Sequence, residues 1–70
     1  MKYLIVIEET DGLFSAYSPD LLGCTASGHS REEVERAMQT EIEFHRKGVE
    51  MAGRTPKRPR TSAAWVQVPA

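Results

Sequence analysis

The chain has 70 residues, enough for one small domain and too few for two, since domains rarely run below about 50 residues. Its composition, 40% hydrophobic and 27% charged, sits near the globular average and excludes a disordered tail or a fibrous repeat. The formal net charge is only −1, but it is unevenly spread: all ten acids and five of the nine bases fall in residues 1–53, and the other four bases in residues 54–70.

The longest apolar run, Tyr3–Ile7, is far short of the roughly 20 residues a membrane span needs, and no small-residue cleavage site follows it, so neither an anchor nor an export signal is expected. The single Cys24 rules out an intramolecular disulfide framework and points to a reducing, cytoplasmic setting. Below roughly 70–80 residues one core seldom supplies more than about 3–5 kcal/mol, so self-association into a dimer or tetramer is expected.

Lys2–Glu8 is β-branched and aromatic and runs into Asp11-Gly12, a strong hairpin signal, so a first strand and a turn are predicted. A second strand, Leu13–Ser18, places Leu13, Ser15 and Tyr17 on one face and Phe14, Ala16 and Ser18 on the other, and ends at Pro19. Pro19–Gly23 reads as a compact turn, followed by a short third strand at Cys24–Ser27. Ser30-Arg31-Glu32-Glu33 fits the capping box, in which the serine hydroxyl accepts from the third helical amide and the glutamate reaches back.

From Arg31 to about Ala52 no proline intervenes. Val34, Met38, Ile42, Val49 and Ala52 recur at helical spacing, flanked by Ala37, Phe44 and Met51. Glu32, Glu35, Arg36, Gln39, Glu43, Arg46, Lys47 and Glu50 take the opposite face, with Glu43 and Lys47 an expected i,i+4 ion pair and Gly53 the stop. Arg54, Lys57, Arg58 and Arg60 lie among Pro56 and Pro59 in an extended cationic connector. Ala64–Val68 alternates like a final strand before Pro69. The expected fold is therefore α+β, in the order β-β-β-α-β, with an antiparallel meander, one helix on one face, and the last strand returning parallel to strand one.

Strand one is apolar on both sides, with Tyr3, Ile5 and Ile7 on one and Leu4 and Val6 on the other. A single helix covers one side of a sheet, which leaves an apolar face for a partner or for thin cover by loops. Chemistry-bearing residues are sparse. Cys24 reads as a small buried hydrophobe and His29 as a solvated turn residue. Glu41 and His45 share the apolar arc, but two ligands are too few for zinc, so no metal or cofactor is expected and the pair reads as an edge-of-core contact, with the imidazole beneath Trp65 or a neighbouring strand. The four connector cations can neutralise phosphates without reading sequence, which makes a nucleic-acid-binding regulator the rival to protein binding.

The opening Met1–Glu8, the element Ser15-Ala16-Tyr17-Ser18-Pro19-Asp20-Leu21-Leu22-Gly23-Cys24, the helix start at Ser30–Glu33 and the segment Ile42-Glu43-Phe44-His45-Arg46-Lys47-Gly48 together resemble the HicB-like antitoxin family over nearly the whole chain. That resemblance implies a partial RNase-H-like fold without catalytic acids. It also implies a non-enzymatic role: binding a small HicA-type toxin that cleaves mRNA and covering its active surface. Many relatives add a C-terminal DNA-binding segment, which is not expected in this single 1–70 domain. Leu22 replaces the family's second proline, and the connector is basic where relatives tend to be acidic or neutral. The residues expected to meet a protein partner are Tyr3, Ile5, Tyr17, Asp20, Leu21 and Leu22; the nucleic-acid alternative rests on Arg54, Lys57, Arg58 and Arg60.

Overall fold

The computed structural model describes residues 1–69. Strand β1 (Val6–Thr10) pairs antiparallel with β2 (Leu13–Tyr17), which pairs antiparallel with β3 (Thr25–Gly28), and the helix α1 (Arg31–Met51) follows. Asp11 and Gly12, with φ of 52° and 80°, make the two-residue hairpin loop in which both central residues are left-handed, matching the right-handed twist of the strands. The register Ile7↔Ala16↔Ala26 and Glu9↔Phe14↔Gly28 sets Ile7, Ala16, Phe14 and Ala26 on the side facing α1. Leu4, Val6, Ser15, Tyr17, Thr25 and Ser27 therefore lie on the opposite side.

The capping signal forms as expected: Ser30 is the N-cap and its hydroxyl accepts from the Glu33 amide at 3.1 Å. The Glu33 carboxylate accepts from the amide of His29, one residue before the cap, at 3.3 Å. Val34 and Met38 are completely buried against Ala16, Leu21 and Cys24, and Tyr3, Ile5, Ile7, Phe14, Ala26 and Ile42 pack around that nucleus. At about 1.5 Å per residue the helix is about twice as long as the strands beneath it. It packs on β3 and β2, and its second half runs past the sheet. Phe44 and Met51, expected to flank the buried arc, are consequently exposed.

The structure corrects several expectations. Strand one begins at Val6 rather than Lys2, because β2 ends at Tyr17, opposite Val6, and Pro19 takes the chain away; the stretch before Val6 has no neighbour to pair with. No strand is present at Ala64–Val68, and the sheet has three strands among the described residues, with β1 at its edge. Glu43 accepts from the Gln39 side-chain amide at 3.2 Å instead of pairing with Lys47, and the one ion pair among the described residues is Arg31–Glu35 at 3.4 Å. None of the described helices is long and apolar enough to cross a membrane.

The turn that joins β2 to β3 is closed by three backbone bonds: Ser18 N–H to Cys24 C=O, Leu21 N–H to Ser18 C=O and Cys24 N–H to Leu21 C=O, each 3.2 Å. Gly23 has φ of 88° at the third position of the Leu21–Cys24 turn, whereas Leu22 has a negative φ, which is the type II pattern. Leu22 is 86% exposed at the position such turns give to proline. Leu22→Pro is expected to raise stability by about 0.4–1 kcal/mol through the unfolded chain, and Gly23→Ala to lower it by about 1–2 kcal/mol, both read by chemical denaturation. A destabilised Leu22→Pro protein would contradict this turn geometry.

Candidate functional site: a clamped basic connector on an acidic body

The residues that follow α1 are tied to the body chiefly by one carboxylate. Asp20, in the turn after β2, accepts from the backbone amides of Arg60 and Thr61 through Oδ2, both at 3.0 Å, and from the Thr61 hydroxyl through Oδ1 at 2.7 Å. The Thr61 hydroxyl bond, with the Arg60 amide next, holds the Asp20 carboxyl below the usual carboxylate range. A second tie lies nearby: the Tyr3 phenol donates to the Lys57 carbonyl. The Arg46 guanidinium lies 6.0 Å from the centre of the Tyr3 ring. Ser18 completes the group, its hydroxyl donating to the Leu4 carbonyl at 3.1 Å.

Asp20 is thus committed within its own chain, and it organises a surface instead of offering one. The clamp half-buries Pro56 and Pro59 and leaves Arg54, Lys57, Arg58 and Arg60 exposed, a short stretch of four cations on a fixed backbone. Nine of the ten acids are exposed on the rest of the molecule.

The residues expected to meet a protein partner do not form one surface. Leu21 is 2% exposed and belongs to the core, so it can touch no partner without unfolding the turn. Tyr3 and Ile5 are half-buried on the helix side, where with Met1, Met38, Ile42 and Arg46 they line an open trough of about 410 Å³. Tyr17 is exposed on the other side of the sheet. Leu22 stands at a third place, beside Phe44, His45, Val49 and Arg54 in a groove of about 630 Å³ that runs between the turn and the far half of α1.

His45 is half-buried in that groove, and the fully exposed Trp65 does not cover it. Glu41 is exposed and shares the groove, and no group of three or more metal-ligating side chains occurs among the described residues. Cys24 is buried; burial, aided by the negative charge of Glu41, pushes its thiol up and away from a reactive thiolate.

Sequence alone assigns neither Arg46 nor Thr61 to a site. Arg46 reads as part of the wet helical face, yet it is half-buried, with its Nε buried and unpaired. Thr61 carries no signal at all, because its role depends on a carboxylate 41 residues away.

Asp20→Asn is expected to loosen the connector, seen as faster hydrogen exchange at the Arg60 and Thr61 amides with the exchange of β1–β3 and α1 unchanged. Because the folded carboxyl titrates below its ordinary value of 3.8, the clamp's stabilisation is complete above that pH and is lost as pH falls through the lower, folded value. Slow exchange at both amides in Asp20→Asn would show that the connector is held by something else.

Comparisons with families of known proteins, with curated proteins and with solved structures find no match to this chain.

Proposed function

We propose that this chain is an antitoxin-like binding module that self-associates and neutralises a small, basic, HicA-type mRNA-cleaving toxin by covering its active surface. The role is binding, not catalysis, and the setting is the cytoplasm. The observation that carries the reading is the exposed acidic surface: nine carboxylates stand on the strands, the hairpin and the helix, and the chain's own cluster of cations is gathered elsewhere on the connector. A protein that holds RNA must be basic, and an acidic body steers such a partner in and suppresses approach in the wrong orientation. The resemblance to HicB-like antitoxins supports the same reading; of the β-β-β-α-β order it implies, the protomer forms, among the described residues, the three strands and the helix and not the final strand.

Within this reading Tyr17 and Leu22 are the exposed apolar contacts, and Tyr3 and Ile5 contribute through the trough beside α1. The test mixes purified chain with the co-encoded toxin and follows RNA cleavage. Stoichiometric complex and loss of cleavage are expected, and charge reversal at Glu9, Glu43 and Glu50 slows association at least 10-fold and flattens its salt dependence. Unimpeded cleavage with no complex would reject the reading.

A second reading has its own observation, the four exposed cations on a clamped backbone. Contact of all four with phosphates gives binding to RNA or DNA that falls with salt at a logarithmic slope of up to about −3.5. Alanine at Arg54, Lys57, Arg58 and Arg60 would then remove the binding and its salt dependence together; binding that survives these changes would reject this reading.

A further inference from the structure

The stretch Tyr3–Ile7, which leads into β1 and supplies its first two residues, is patterned for the middle of a sheet, yet it lies along the sheet's edge. Tyr3, Ile5 and Ile7 line the helix side and Leu4 and Val6 the other, a two-sided apolar pattern typical of strands flanked by neighbours. Yet the sheet order leaves one side of β1 unpaired. Among the described residues, the backbone of 2–5 makes no ladder bond; the contact recorded there is the Ser18 hydroxyl on the Leu4 carbonyl. Buried or half-buried backbone without partners is costly, and a bare apolar edge is a template for another strand.

The same chain carries one strand-patterned segment with no partner. Trp65, Val66 and Val68 are 102%, 80% and 72% exposed, and no charge occurs between Thr61 and Pro69 to protect the segment from association. It projects from the body: the molecule extends 51 Å along its longest axis against 27 Å along the next, and its radius of gyration is 14.0 Å, above the roughly 11 Å expected for a compact domain of this length.

The clamp explains why the arm does not turn back. Asp20 fixes Arg60 and Thr61, and the next residues, Ser62, Ala63 and Ala64, include no glycine, proline, asparagine or aspartate that would reverse the chain before Trp65. Extended, the nine residues Thr61–Pro69 reach about 30 Å.

We infer that two copies of this chain exchange these arms, residues 64–68 of each adding a strand to the free β1 edge of the other. The inference rests on the self-association proposed above and names its interface. Alternation suits the arm to the 3–7 end of this edge: Trp65 points to one side of the added strand and Val66 and Val68 to the other, so apolar side chains meet both apolar sides of Tyr3–Ile7, including the open trough lined by Met1, Tyr3, Ile5, Met38 and Ile42. The exchange is reciprocal, so it closes on two copies, pairs each β1 edge and makes the short docked arm the new edge.

Trp65, the one tryptophan of the chain, reports directly on this interface. In analytical ultracentrifugation the full chain is expected to sediment as a dimer, with Trp65 emission blue-shifted and shielded from acrylamide, and to regain water-exposed emission as dilution dissociates it. Val66→Lys changes a residue that is 80% exposed in the protomer, so the circular dichroism stays unchanged while dimer affinity falls at least 100-fold. Val66→Pro, which removes the amide a ladder needs, gives the same loss. A dimer that both variants leave intact, or one in which Trp65 stays water-exposed, overturns arm exchange and leaves self-association through another surface. A monomer at every concentration overturns both.

Discussion

One carboxylate on a four-residue turn decides where a quarter of this chain goes. Asp20 receives two backbone amides and a hydroxyl from residues 40 and 41 positions away, and those three bonds fix the point at which the connector leaves the body. The turn that presents it is itself fixed, by Gly23 in the left-handed region, by three backbone bonds and by Leu21 buried as its anchor. The sequence element Pro19-Asp20-Leu21-Leu22-Gly23-Cys24 is therefore an organising device: Leu21 and Cys24 plug it into the core, and Asp20 faces outward to hold a distant segment. Because a carboxylate bonded to amides has both partners and little to gain from a new one, its role is architectural.

The protein beneath is economical. Five apolar side chains form the buried nucleus, and two of them, Val34 and Met38, come from the first two turns of α1. A helix anchored at one end, capped by Ser30 and Glu33, leaves its far half to pack on a turn and a connector instead of on a sheet. That geometry makes the groove at Leu22, Phe44 and Val49 and the trough at Tyr3, Ile5 and Ile42: both are places where a long helix outruns a small sheet. Apolar surface that a larger protein would cover internally is here left at the periphery, where association can cover it.

Charge follows the same division. The acids are spread over the compact body, where the capping position and the helical flank favour them, and the four connector cations sit on a segment that prolines and Asp20 hold against that body. In the two proposed readings, a basic partner would meet the acidic body and a phosphate-bearing one the connector. The two proposed readings use different surfaces and do not compete for residues.

The local elements were legible from residue types alone. Asp11-Gly12 makes its hairpin, Pro19 ends β2, Ser30 caps α1, and the helical spacing of Val34 and Met38 names the buried face, because each depends on neighbours within a few positions. What only the tertiary structure decided is non-local. Ala64–Val68 has the alternation of a strand, but alternation cannot say which edge the segment reaches, and in the protomer it is exposed and pairs with none. Arg46 has the spacing of a solvent-facing residue and is drawn over Tyr3, and Leu21 and Leu22 are identical in sequence terms yet one is core and the other exposed, since a turn's φ angles, not its composition, choose which of two adjacent side chains points inward.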